Sequence, residues 1–125
     1  MRRRVLVIED NEQNRYLLSF LLQKHGYDIV TAADGPTGIE LARRTELWAI
    51  LLDIQLPVMD GYEIARILRA DPVLETIPII AVTSYAMPGD LEKALAAGCS
   101  GYLEKPIEPE TFVASVERLV AEVAR

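Results

Sequence analysis

Five polar residues stand where apolar runs end, and their types suit phosphoryl-group chemistry. VLVI (5–8) is followed by Glu9 and Asp10, WAILL (48–52) by Asp53, IPIIAV (77–82) by Thr83, and GYLE (101–104) by Lys105. Two carboxylates about 5 Å apart repel by roughly 3 kcal/mol at an effective dielectric of about 20, so three together require cations. Lys105 supplies one. The natural second is a hard divalent ion, since the anionic donors are all oxygens with no His or Cys beside them. Few protein donors with waters retained point to Mg2+ rather than a calcium cage. The run Asp10–Arg15 has no glycine at its sixth position, so it is not an EF-hand loop. A carboxylate in such a place can act as nucleophile and become an aspartyl phosphate. The metal and the lysine would neutralise the transferring oxygens, and the threonine hydroxyl would bond the phosphate once present.

Residues from four separate runs converge only if the runs are strands of one sheet. Arg4–Glu9, Tyr27–Thr31, Leu47–Asp53, Ile77–Thr83 and Gly101–Glu104 read as strands. Three of them are nearly continuous apolar runs, as expected of parallel strands buried on both faces. Helix-patterned segments separate them. The first starts at Asn11 or Glu12 and runs to His25, with Gly26 as its left-handed terminator. Asp34 caps a second helix with Pro36 in its first turn, and Asp60 with Glu63 opens Gly61–Ala70, which Pro72 stops. Pro88 opens a fourth that ends at Gly98, and Pro109 opens a fifth. In that last helix Phe112, Val116, Leu119, Val120 and Val123 form one apolar stripe. The chain is therefore α/β, a βα unit repeated five times with right-handed crossovers and helices on both faces of a parallel sheet. In such sheets, sites form outside the carboxyl ends of the strands, where the five polar residues fall.

A length of 125 residues fits one domain, 1–125, with no linker or low-complexity stretch. The net charge of −6 argues against a bare nucleic-acid binder and against an anionic membrane surface. Arg2-Arg3-Arg4 followed by VLVI is not a signal peptide, because the apolar segment is too short and Glu9-Asp10 closes it at once. No stretch approaches the ~20 apolar residues of a membrane span. The single Cys99 allows no internal disulfide, and the economical location is the cytoplasm.

The elements VLVIEDN, LLDIQLPVMDG, IIAVTSYA and GYLEKPI, in this order, make the chain resemble the receiver domain of bacterial two-component response regulators along essentially its whole length. The resemblance implies a flavodoxin-like (βα)5 fold of five parallel strands in the order 2-1-3-4-5. It implies Asp53 as phosphoacceptor, Thr83 as switch hydroxyl and Lys105 as the phosphate-pairing lysine, with a cis bond before Pro106. Mg2+ would be bound by Asp10, Asp53 and the backbone carbonyl of Gln55, with Glu9 acting through water. Glu9 departs from the aspartate that many relatives carry. Tyr102 matches the aromatic that turns inward on phosphorylation, and Gln55 and Tyr85 hold positions that tune phosphoryl lifetime. The implied partners are a histidine kinase or phosphotransfer protein and a downstream target protein, with no nucleic acid or membrane, the chain being a monomer or weak homodimer. It would catalyse only its own phosphorylation and dephosphorylation, as a stand-alone domain without a DNA-binding output domain.

Phosphate on Asp53 would draw Thr83 toward it, free space for Tyr102, and change the surface of the fourth helix, fifth strand and fifth helix. In the first helix Tyr16, Leu17, Leu18, Phe20, Leu21 and Leu22 wrap roughly 240°, wider than a core-facing stripe needs. Some must therefore be exposed, either as ordinary surface apolar residues or as a docking face for the phosphodonor. His25 reads as a helix-end residue, Trp48 as core or rim, and Cys99 as packing. Three rivals share the architecture or the nucleophile. A flavodoxin-like cofactor binder would want a phosphate cradle where Glu9-Asp10-Asn11-Glu12 stands. An aspartyl hydrolase would want an acid where Gln55 stands. A non-phosphorylated interaction module would have no use for the full acidic, hydroxyl and lysine set.

Overall fold

Alternate residues of each apolar run serve opposite faces of one sheet, which is why the runs carry no polar alternation. The computed structural model describes residues 3–56, 58–84 and 88–123; Arg2, Pro57 and Tyr85 lie outside them. The strands are β1 (Arg4–Ile8), β2 (Asp28–Ala32), β3 (Ala49–Asp53), β4 (Ile79–Thr83) and β5 (Gly101–Glu104). All pair in parallel, in the order β2-β1-β3-β4-β5. This is the α/β fold and strand order expected.

Leu6, Ile8, Ile50, Leu52, Ile79 and Ala81 face one core, and Val5, Val7, Ala49, Leu51, Ile80 and Val82 face the other. Helices α2 (Gly35–Arg44), α3 (Gly61–Ala70) and α4 (Asp90–Ala97) close the first core with Ile39, Ile64, Leu68 and Ala94. Helices α1 (Glu12–Lys24) and α5 (Phe112–Val123) close the second with Leu18, Leu22, Phe112 and Val116. Burying such a Leu or Ile side chain contributes about 2 kcal/mol. Among the described residues no helix is long and apolar enough to cross a membrane.

Helix starts follow their caps. Asn11 Oδ1 accepts from Asn14 N at 2.9 Å, Asp34 Oδ1 from Thr37 N at 2.8 Å, and Asp60 Oδ1 from Glu63 N at 2.9 Å. The backbone N–H of Thr37 also holds the Asp34 carboxyl below its usual range. Two proline-based starts are corrected. Pro88 lies in a turn and Gly89, with φ 92°, is the cap, so α4 begins at Asp90. Pro109 likewise lies in a turn; Glu108 O accepts from both Thr111 N and Phe112 N, and α5 begins at Phe112. Pro72 does end α3, but it also opens a 3-10 turn, Pro72–Leu74. In α5, Phe112, Val116, Leu119 and Val120 face the core as expected, while Val123 is 40% exposed and Val113 is buried in addition. The strands also start up to two residues later than the apolar runs, because residues such as Leu47 and Ile77 pack without entering the ladder.

The two ends of α4 are held differently. At the C-terminal end, Arg69 Nε donates to Gly98 O, and Arg69 Nη1 to the carbonyls of Leu74, Glu75 and Ile77, each at 2.9 Å. Gly98 has φ 110°, a conformation costly for any residue with a Cβ. At the N-terminal end, among the described residues, no side-chain hydrogen bond caps the helix. Cys99, just past α4, is buried among apolar neighbours. His25 caps α1, with its Nδ1 2.9 Å from Leu21 O. Trp48 is half-buried against the Tyr27 ring at 4.9 Å, beneath Arg3.

Candidate functional site

The carboxyl edge of the sheet gathers the polar residues singled out in the sequence. Asp53 ends β3 and is 3% exposed; Glu9 follows β1 and is 1% exposed. Both are reached by Lys105, just past β5, whose Nζ stands 2.9 Å from Glu9 Oε1 and 3.6 Å from Asp53 Oδ2. Carboxylate oxygens of Glu9, Asp10 and Asp53 all lie within 4.8 Å of one another, with Asp10 at the exposed side. Thr83, buried at the end of β4, lies one residue past Val82, the register partner of Asp53. Its carbonyl accepts from Lys105 N at 2.7 Å, which ties the lysine to the threonine's strand. The Lys105–Pro106 bond is cis, as expected.

The backbone organises these charges. Asp53 Oδ1 accepts from Gln55 N at 2.9 Å, and Glu9 Oε2 from Asn11 N at 3.2 Å. Gln55 Oε1 accepts from Ser84 N at 3.1 Å, joining the loops after β3 and β4 beside Asp53. Neither this link nor the reach of Arg15 to the carbonyls of Glu9 and Asp10 was foreseen. Both are side chain to backbone bonds, and no periodicity announces them. Tyr102, on β5, is half-buried against the core of α2, α3 and α4.

The electrostatics show a cluster short of positive charge. Burial pushes Glu9 up to about 7, helped by its hydrogen bond to Asp53 and the Asp53 charge, and opposed by Lys105. Burial alone would lower Lys105, but its bond to Glu9 and the charges of Asp53 and Glu9 outweigh that and raise it. Buried Glu9 Oε1 is met by the Lys105 ammonium at 2.9 Å, and among the described residues by no better-aligned donor. A hard cation among these oxygens would relieve the repulsion of three carboxylates faced by one lysine, so the donor set fits Mg2+.

A second feature lies on α1 beside this edge. Tyr16 is 70% exposed and Phe20 48%, with their rings stacked at 6.1 Å and 20° between planes. Leu18, Leu21 and Leu22 are buried and Leu17 half-buried, so the wide apolar arc does leave an exposed aromatic pair. A shallow groove of about 240 Å³ runs past Tyr16 between Glu12, Arg15, Ser19 and Thr31.

Residues 5–117 match the family described as the response regulator receiver domain. The polar-differentiation response regulator DivK of Brucella ovis is 38% identical over 117 residues, covering 94% of this chain and 95% of that protein. Among solved structures, the chemotaxis protein CheY4 of Vibrio cholerae is 31% identical with a TM-score of 0.91, covering 95% of this chain and 99% of that one. The receiver domain of the sensor histidine kinase PA1611 of Pseudomonas aeruginosa is 36% identical with a TM-score of 0.87, covering 97% and 99%. That structure has a magnesium ion coordinated in its active site cleft.

Proposed function

The chain belongs to the response regulator receiver domain family, and from that premise we propose that it is a phosphorelay component that takes a phosphoryl group on Asp53. The observation that carries the reading is the buried Asp53 carboxylate, held by Gln55 N on one oxygen and faced by Lys105 on the other. A carboxylate oxygen of Asp53 attacks the phosphorus of a phosphohistidine; the new O–P bond forms as the P–N bond breaks, and the leaving imidazole keeps the electron pair. Lys105 offsets charge on the transferring oxygens, and the Thr83 hydroxyl bonds one of them afterwards. Water later attacks the aspartyl phosphate, releasing phosphate and restoring the carboxylate. Asp10, Asp53 and the Gln55 carbonyl would hold Mg2+, with Glu9 behind them. When bound, the ion supplies the charge neutralisation that three carboxylates and one lysine lack.

The donor is a histidine kinase or phosphotransfer protein, and the Tyr16–Phe20 pair on α1 is the surface it meets. Phosphate draws Thr83 inward, Tyr102 takes up the freed space, and the face of α4, β5 and α5 changes for a downstream protein. The chain thus acts on its own aspartate and not on a separate metabolite. The test is intact mass after incubation with acetyl phosphate and Mg2+, with wild type compared to Asp53→Asn. Wild type is expected to gain the mass of one phosphoryl group and the variant none. No Asp53-dependent adduct, even with the cognate kinase, overturns the reading.

A further inference from the structure

Two of the three clustered carboxylates sit on a three-residue connection, Glu9 to Asn11, between β1 and α1. Its first N–H is fixed on Ala32 O at 3.0 Å and its last on Glu9 Oε2 at 3.2 Å. Two of its carbonyls go to one side chain. Arg15 Nη1 donates to Glu9 O at 2.9 Å and approaches Asp10 O at 3.4 Å. Arg15 is itself fixed in the first turn of α1, its N bonded to Asn11 O at 2.9 Å and its carbonyl to Ser19 Oγ at 2.7 Å. The guanidinium therefore reaches back from a rigid helix to hold the backbone that carries Asp10.

We propose that Arg15 is a positioning residue of the metal site: by clamping the carbonyls of Glu9 and Asp10, it sets the direction in which the Asp10 carboxylate meets a divalent cation. The inference rests on the Mg2+ reading of the acidic cluster. Asp10 is exposed, and its short side chain has two rotatable bonds. Its oxygens are therefore placed mainly by its own backbone. Ordering that backbone in advance removes an entropy cost from cation binding. Residues behind metal ligands commonly matter in this way.

The charge of Arg15 and its clamp act with opposite signs. A guanidinium near a dication is repulsive, so if charge were its whole effect, removing it would tighten Mg2+ binding. If the clamp dominates, removing it weakens binding. The experiment is calorimetric titration of MgCl2 into the full chain as wild type, Arg15→Met and Arg15→Lys, with thermal melts of the metal-free proteins alongside. Arg15→Met is expected to weaken Mg2+ binding about tenfold, the lower end for such residues, with little change in melting. Arg15→Lys keeps the charge and N–H donors on one nitrogen but reaches one atom less far than Nη1, and falls between the two. If Arg15→Met folds poorly, Arg15→Lys decides alone. Variants that bind Mg2+ as tightly as wild type, or more tightly, overturn the proposal. A wild-type protein with no saturable binding that Asp10→Asn abolishes overturns the metal reading, and this inference with it.

Discussion

Gly61 opens α3 directly against the segment that carries Asp53, and replacing it with alanine tests how rigidly that segment is built. A Cβ at residue 61 would stand 2.5 Å from Ile54 Cα, 2.8 Å from Asp53 O and 2.8 Å from Ile54 Cδ1. The first two obstacles are backbone, and Ile54 N is tied to Val82 O at 3.1 Å, so neither can turn aside. Gly35 is the control, since it opens α2 at the same helical position. Its Cβ would meet Ile64 Cδ1 at 2.8 Å, Ile64 Cγ1 at 3.1 Å and Met59 Sδ at 3.2 Å, all of them side-chain atoms and none main chain. The helix-propensity gain from Gly to Ala, at most about 1 kcal/mol, is common to both and cancels in the comparison. Overpacking costs about 1–3 kcal/mol, and an immovable obstacle belongs at the upper end. Gly61→Ala should therefore lose about 2 kcal/mol net, and Gly35→Ala between about 0 and 1 kcal/mol. In urea that is a midpoint lowered by about 1 M for Gly61→Ala, or about 8 °C in melting. Ile54→Ala should not rescue it, because the clash is with the main chain. Equal stability of the two variants, or a larger loss in Gly35→Ala, would refute the argument.

Two further outcomes follow from exposure and burial. Tyr16→Glu with Phe20→Glu should slow transfer from the cognate kinase or phosphotransfer protein by tenfold or more, an effect of about 1.4 kcal/mol, while uptake from acetyl phosphate stays at the wild-type rate. Equal loss with both donors would place the defect in the Asp53 site instead. Burial pushes the Cys99 thiol up to about 11, with Arg69 opposing it weakly. The native chain then keeps a proton that the unfolded chain loses at about 8.5–9. This contribution to stability is full below about pH 9 and is lost as pH rises toward about 11. Urea midpoints at about pH 8 and about pH 10.5 should diverge less in Cys99→Ala than in wild type; an unchanged difference would show the thiol is not so buried.

The strands were legible because burial on both faces leaves a run such as Val5–Ile8 or Ile50–Leu52 no polar residue to blur it. Two side-chain caps were legible for the same kind of reason: Asp34 and Asp60 act on N–H groups three residues away, as Asn11 proves to do where the reading left the helix start between Asn11 and Glu12. Prolines misled. Pro88 and Pro109 satisfy the rule for a helix's first turn equally well from a preceding turn, and only the φ of Gly89 or the double use of Glu108 O decides between them. In the site, the meeting of Glu9, Asp10, Asp53 and Lys105 followed from strand ends alone. Arg15, Arg69 and the Gln55 side chain were not legible, because each finds main-chain carbonyls or N–H groups whose positions depend on the finished fold.

Unequal anchoring gives α4 the mechanics of a lever. Its fulcrum is the Gly98 end, where Arg69 of α3 holds Gly98 O while also bonding the carbonyls of Leu74, Glu75 and Ile77; at the other end, among the described residues, no side-chain hydrogen bond caps the helix. A displacement that entered at the Asp90 end would be resisted at the Gly98 end by the Arg69 lock. Leu91, 39% exposed, sits on the long arm, and Leu95, 48% exposed, nearer the pivot. A partner that touches both would feel a change of tilt and not a simple shift, so the angle of one short helix can carry the message.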